Sequence, residues 1–407
     1  MKAGWRTKTL DDACQFSNGL WKGEKPPFVN VGVIRNTNFT KDGTLDDSDI
    51  AYLDVEAKKL EKRRLRFGDI ILEKSGGGPK QPVGRVALFD KEDGDFSFSN
   101  FTAALRVLDP HELDFRFLHK FLYWTYLSGV TEGMQSHSTG IRNLDGDAYK
   151  AIKISIPPRL EQQRIVGILD EAFDGLATAK ANAEKNLQNA RALFESHLQS
   201  VFTQRGQGWV ETTLSKATGG IFTGPFGSLL HKSDYVEDGI PLVNPAHITE
   251  AGFEPDPRKS VSETTARRLS NYILRAGDIV IGRRGEMGRC ALVTDAEDGW
   301  LCGTGSFFIK PSSRCDTRYL VRFLRSEGCK RRLENIAGGA VMPNLSNTDL
   351  GNLHFDLPPL DRQKSIVQEI DDLHEEAQRL KSIYQQKLAA LDELKKSLLH
   401  QAFSGQL

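Results

Sequence analysis

Two short stretches carry residue types that could hold a polyanion. After the apolar run ending GDII come Glu73, Lys74, Ser75, Lys80, Gln81 and Arg85, and after GDIV come Arg283, Arg284, Glu286 and Arg289. Arginine and lysine reach phosphate oxygens or the guanine edge, glutamine can bond adenine, and the glycines among them let a backbone approach a groove. A surface cation taken singly usually touches nothing. Recurrence at the same place in two copies is what distinguishes these. A second polar patch follows in each copy: Gln135, Ser136, His137, Ser138, Thr139, Arg142 and Asn143, then Met342, Pro343 and Asn344. Asn143 and Asn344 occupy equivalent places. Their chemistry suits groove contact, although a turn or a helix cap is the simpler account of an asparagine. Ser228, His231 and Lys232, with Gly227, Asn244 and His247, are weaker candidates for the same contact.

Catalytic chemistry leaves less trace. The Pro-Pro pairs follow Ile156 and Leu357, where an amino-methyltransferase site would need Asn or Asp before them and an aromatic after. FTGPFGS from Phe222 has the glycines of a turn that could hold S-adenosylmethionine, but no strand and acidic ribose partner flank it, so it reads as a loop. SGGGPKQPVG from Ser75 lacks the GxxxxGK[ST] spacing of a phosphate cradle, and neither HExxH nor GxSxG occurs. The five cysteines form no CxxC pair, which argues against a disulfide scaffold and common zinc spacings. Buried thiols explain them more simply.

These loops need elements to position them, and the elements come in duplicate. GWRTKTL from Gly4 aligns with GWVETTL from Gly208, LRFGDII from Leu65 with LRAGDIV from Leu274, and GRVAL from Gly84 with GRCAL from Gly288. The last two pairs of blocks read as strand, turn, strand. DFRFLHKFL from Asp114 aligns with DTRYLVRFL from Asp316 as an amphipathic helix whose Asp fits the N-cap. AIKISIPP and NLHFDLPP predict a strand leading into each proline pair. From Pro157-Pro158 and Pro358-Pro359 the copies stay in register at one unchanging offset through Phe202 and Phe403. Repeats of this size mean two related surfaces.

Beyond each proline pair runs a coiled-coil seam. Ile165, Leu169, Ala172, Leu176, Ala179, Ala183, Leu187, Ala190, Phe194 and Leu198 alternate spacings of three and four; Ile366, Ile370, Leu373, Ala377, Leu380, Tyr384, Leu388, Leu391, Leu394 and Leu398 nearly repeat them. Such a helix extends roughly 65 Å at about 1.5 Å per residue, more than one small domain needs. Alanine on one stripe against larger residues on the other predicts that the two helices pack on each other. The alternatives are that each helix buries its stripe on its own half, or that two chains pair. The expected fold is α+β: two duplicated globular domains, residues 1–157 and 206–357, separated by two long antiparallel helices, residues 158–205 and 358–407, forming an intramolecular coiled coil with pseudo-twofold symmetry.

Length and charge set wide bounds. The 407 residues can hold two cores, and 54 Lys plus Arg against 54 Asp plus Glu give no bulk field that would announce a polyanion. The opening MKAGWRTKTLDDA lacks the apolar core of a signal peptide, and no run is long enough for a bilayer. A cytoplasmic protein is expected.

With this layout the chain resembles the specificity subunit of a type I restriction-modification system. The resemblance is carried by GW…TTL at Gly208, GPFGS at Gly224, LRxGDI at Leu65 and Leu274, PPRLEQQRIV, PPLDRQKSIV and the terminal QAFSGQL at Gln401, and covers essentially the whole chain. It implies two target recognition domains, each reading one half of a split, asymmetric site on double-stranded DNA, with the paired helices setting the unread gap. It implies two methyltransferase (M) subunits docked along the helices, with restriction and motor (R) subunits joining for cleavage. Adenine N6 methylation from S-adenosylmethionine then belongs to M, and ATP- and Mg2+-dependent translocation and cleavage to R; this chain carries no cofactor and is not an enzyme. CQFSNGLWKG at Cys14 departs from the clearer TGPFGS of the second copy, so the first copy's contact loops transfer less directly. Two other classes compete: a coiled-coil scaffold that reads no DNA, and an enzyme with an unrecognised site.

Overall fold

The computed structural model describes residues 4–20, 23–78, 81–138, 140–338 and 344–407, the side chains of His137 and Ser138 excepted. It divides into two compact units, Met1–Glu184 with Gln385–Leu407, and Lys185–Tyr384. Four helices organise them: α1 (Phe115–Leu127), α2 (Arg159–Thr203), α3 (Thr317–Arg325) and α4 (Leu360–Ser404).

The first unit holds β1 (Arg6–Thr9), β2 (Cys14–Asn18), β3 (Phe28–Ile34), β4 (Ala51–Glu56), β5 (Ile70–Glu73), β6 (Ser75–Gly77), β7 (Val86–Leu88), β8 (Phe96–Phe98), β9 (Thr102–Val107), β10 (Gln135–Ser138), β11 (Ile141–Leu144) and β12 (Lys153–Ile156). They form sheets in the orders β2-β9-β5-β7, β4-β3-β8, β10-β11-β6 and β1-β12. The second unit repeats the plan with β13 (Val210–Thr213), β14 (Gly220–Thr223), β15 (Tyr235–Val236), β16 (Ile240–Val243), β17 (Ser260–Val261), β18 (Ile279–Gly282), β19 (Cys290–Leu292), β20 (Leu301–Cys302), β21 (Ser306–Lys310) and β22 (His354–Leu357). Its sheets run β14-β21-β18-β19, β15-β17-β16-β20 and β13-β22. The strand, turn, strand reading holds in both copies, Ile70 pairing with Leu88 and Ile279 with Leu292.

The recurrent LRxGDI block has a structural cause. Gly68 and Gly277 take φ of +86° and +93°, a turn conformation that a side chain disfavours. Asp69 and Asp278, each 1% exposed, accept from the backbone of Arg66 and Arg275 at 2.8 and 2.9 Å. Each also takes a cation from the neighbouring strand: Arg106 at 2.6 Å, Lys310 at 2.6 Å. A buried carboxylate so satisfied holds the turn rather than a ligand.

The proline pairs are anchored by glutamines. Fully buried Gln162 accepts from the Asp114 N–H at 2.8 Å and donates to the carbonyls of Pro157 and Glu112 at 2.8 Å. Gln363 makes the same three bonds to Asp316, Pro358 and Arg314. Asp114 and Asp316 cap α1 and α3, as the sequence predicts. Each glutamine therefore ties the start of a long helix to the start of a short one.

Each long helix begins against the half that precedes it and ends against the other. In the first unit Ile165, Val166 and Leu169 of α2 share a core with Phe117, Leu118 and Leu122 of α1 and with Leu399 and Ala402 of α4. In the second, Ile366, Val367 and Ile370 of α4 pack with Tyr319, Leu320 and Phe323, and Leu198, Val201 and Phe202 of α2 lie against them. The helices pair within the chain: Arg164 donates to the Leu407 carbonyl at 3.0 Å and Lys180 pairs with Asp392 at 3.1 Å, an antiparallel register, while Phe194 meets His374 edge to face at 5.4 Å between ring centres. The expected coiled-coil pairing is present. One seam position differs: Leu394 is 48% exposed, and Lys395 takes the inner place, its ammonium between the rings of Phe173 and Tyr123 and 2.6 Å from Asp42. Methylenes can line a seam when the charge finds an acid and ring faces.

All five cysteines are buried and unpaired. Burial pushes the thiols of Cys14, Cys315 and Cys329 up to about 12 and that of Cys290 to about 11, so they pack as small hydrophobes. No helix among the described residues is long and apolar enough to cross a membrane.

Candidate nucleic-acid interface

In the first unit the two polar patches form one structure. Asn143 on β11 stands opposite Ser75 on β6, and the Ser75 hydroxyl donates to the Asn143 amide oxygen at 2.6 Å. The Leu144 N–H donates to the Lys74 carbonyl at 2.8 Å. Lys74 is half-buried and donates to the Asn18 amide oxygen at 2.8 Å, a neutral partner; burial pulls its pKa below the ordinary lysine value. Arg142 reaches the Gln135 oxygen at 3.3 Å, and Gln135 itself donates to the carbonyls of Val83 and Thr131.

The second unit builds the same constellation from different side chains. Asn344 bridges to Arg284, and the Leu345 N–H donates to the Arg283 carbonyl at 3.0 Å. The Arg283 N–H donates to the Gly305 carbonyl at 3.0 Å, as that of Lys74 does to Phe101. These bonds make Arg283 the counterpart of Lys74, Arg284 of Ser75, and Asn344 of Asn143. The Nε–H groups of Arg283 and Arg284 both donate to the Asn344 amide oxygen, at 3.2 and 3.4 Å. Arg283 also lies over the Phe307 ring at 5.5 Å, and burial, with Arg284 beside it, draws its pKa below the usual value. Neither Asn143 nor Asn344 is a cap or a turn residue; both sit in extended segments paired to the loop after the GD strand.

The arginines further along each loop, Arg85 and Arg289, are committed to partners within the protein. Arg85 forms a two-pronged pair with Glu73 (2.7 and 2.9 Å) and donates to the carbonyls of Asn36 and Phe39, the Glu73 carboxylate being 2% exposed. Gln81, with its amide oxygen turned toward Arg85, accepts from the same guanidinium at 2.9 Å. Arg289 donates to the Pro245 carbonyl at 3.5 Å and pairs with Glu286. Gly282 stands where the first unit has Glu73, so the carboxylate comes from the loop instead.

Of the weaker candidates, Ser228, His231 and Lys232 are exposed on two short 3-10 turns, and the His231 N–H is held by the Asp234 carboxylate at 2.7 Å. Buried His247 bonds the Leu242 carbonyl at 2.9 Å and closes a turn with Asn244. The backbone of His137 lies on β10 opposite Arg142. Lys80, Thr139, Met342 and Pro343 lie outside the described residues.

Residues 2–188 and 219–386, most of the chain, match the family model described as the type I restriction modification DNA specificity domain. The chain belongs to this family. Among curated relatives, the specificity subunit of the type I restriction enzyme MjaVIII of Methanocaldococcus jannaschii is 24% identical over 294 residues, spanning 67% of this chain and 66% of that protein. The StySPI specificity subunit of Salmonella potsdam is 23% identical over 430 residues, 99% of this chain and 89% of its own length. A chain solved in work on complex assembly and conformational transition of the type I R-M system shares the fold at a TM-score of 0.76 and 20% identity, covering 100% of this chain and 99% of its own.

Within this specificity fold, two residues that belong to the site are Asn18 and Gly19. A Cβ on Gly19 would lie 1.7 Å from the Ser99 carbonyl oxygen, and one on Gly224 2.0 Å from that of Gly303. The first copy's CQFSNGLWKG thus keeps the close approach of TGPFGS despite its different spelling. The shared signal is a polar residue followed by glycine, Asn18-Gly19 and Thr223-Gly224, at the end of β2 and β14.

Proposed function

We propose that the chain supplies DNA address to a type I restriction-modification complex, each unit reading one half of a split, asymmetric site. The observation that supports it most is the doubled constellation. One backbone framework, defined by corresponding hydrogen bonds, carries Lys74, Ser75 and Asn143 in one copy and Arg283, Arg284 and Asn344 in the other. Among the described residues both leading cations are half-buried on neutral amide oxygens rather than carboxylates, and an uncancelled cation of that kind is costly until an electronegative ligand meets it. Unlike side chains on a like frame suit two unlike half-sites.

In this reading Lys74, Ser75, Arg142, Asn143, Ser228, His231, Lys232, Arg283, Arg284 and Asn344 face the duplex, and Lys80 and His137 stay contact candidates on sequence grounds. Arg85, Gln81 and Arg289 shape the loops through bonds within the protein. The chain carries no chemistry of its own. Methyltransferase subunits, two per chain, dock along the paired helices and hold S-adenosylmethionine; restriction and motor subunits use ATP and Mg2+. Replacing residues 1–150 with the corresponding part of another specificity subunit tests the assignment. Mapped methylated adenines are expected to report one changed half-site and one unchanged. A change in both, or in neither, would contradict it.

A further inference from the structure

We infer that Arg283 and Arg284, held by Asn344, read guanine in the half-site contacted by the second unit. This rests on the proposed DNA reading and gives it a base. Two adjacent arginines place like charges side by side, and among the described residues neither is paired with a carboxylate, although Arg289 nearby has Glu286. Their Nε–H groups converge on one neutral acceptor at 3.2 and 3.4 Å. That anchor uses one donor of each guanidinium and fixes its plane, while the terminal nitrogens retain their paired donors. Arg283 is further held by the Phe307 ring beneath it and by backbone bonds to Gly305 and Leu345. Arg284 is exposed beside it.

A guanidinium fork can grip phosphate as well as guanine, but phosphate is met equally by a mobile point charge, whereas a fork held in a fixed plane fits the two acceptors, O6 and N7, that guanine presents side by side in the major groove. The corresponding first-unit residues offer no fork. Lys74 is a point charge on Asn18, and Ser75 donates to Asn143. Guanine reading by this device is therefore confined to one half-site.

The test uses the full chain assembled with its modification subunit and a pool of randomised duplexes. Wild type is expected to select two half-sites, with guanine in the one that follows the second unit. Arg284→Gln and Arg284→Lys are both expected to lose discrimination at one guanine position by about 5- to 150-fold, the first half-site staying intact. Arg284 is exposed, so these variants fold; Arg283→Gln extends the test to the braced position. If Arg284→Lys keeps discrimination while Arg284→Gln weakens every sequence alike and lowers the salt slope by about one, the contact is to phosphate and the guanine inference falls. Two half-sites with no guanine in either also overturn it, leaving the DNA-reading proposal standing. A wild-type complex that selects nothing removes that proposal itself.

Discussion

Phe403→Ala is expected to loosen the first globular half although the residue lies near the end of the chain. Its ring centre sits 5.4, 5.5 and 5.6 Å from those of Phe117, Phe121 and Trp124, all on α1. Truncating a fully buried phenylalanine costs about 3–5 kcal/mol. Phe403 is half-buried, which reduces the expectation to about 2–3 kcal/mol, including the lost ring-pair geometry. Hydrogen exchange monitored by mass spectrometry reads this locally. Amides of α1 that exchange through opening of this unit should speed up by about 30- to 150-fold, since each 1.4 kcal/mol is tenfold, while those of α3 keep their rates. Phe202→Ala is the mirror experiment: its ring lies 5.6 and 5.7 Å from Tyr319 and Phe323, so α3 should loosen and α1 should not. Faster exchange in α3 on Phe403→Ala would refute the assignment of helix ends to the opposite copy.

Two further outcomes follow from charged groups and their burial. Glu73→Gln strips a carboxylate 2% exposed from Arg85, itself 17% exposed, and should cost about 3–5 kcal/mol, whereas Glu286→Gln breaks an exposed pair and should cost about 0–1 kcal/mol; equal urea midpoints for the two variants would contradict this. Burial, with Lys120 nearby, pushes His119 down to about 4, and its ring bonds the Gly43 carbonyl at 2.8 Å. Because the folded state resists the proton that the unfolded histidine takes up near pH 6.5, stability is whole above that pH. It falls by up to about 3 kcal/mol between pH 6.5 and 4, with no further loss from this group below. His119→Gln should flatten that part of a urea-stability profile against pH; an unchanged slope would show that the imidazole is not the group responsible.

Much of this molecule is legible in its residues because repetition and period are local signals. The strand-turn-strand blocks, the Asp caps and the seams can be read from spacing alone. The direction in which a polar side chain points cannot. Arg85 and Lys74 look equally suited to DNA as letters, yet one is spent on Glu73 and two carbonyls while the other rests on a single amide. Gln162 and Gln363 pass for surface residues after a proline pair, since their partners lie far away in sequence on the α1 and α3 caps. Leu394 outranks Lys395 on any apolar count, but Asp42, Phe173 and Tyr123 together favour the lysine inside. Gly19 was hidden by its neighbours' spelling; only the approach of the Ser99 carbonyl shows why glycine is needed there.

The most direct test of sequence reading by two unlike units is single-molecule mapping of methylated adenines in a host expressing this chain with its methyltransferase subunit. The expected result is one bipartite, asymmetric motif, two short specified stretches flanking an unspecified gap, absent when the chain is omitted. Methylation without a motif, or a motif that persists unchanged when Lys74, Asn143, Arg284 and Asn344 are replaced together, would contradict it.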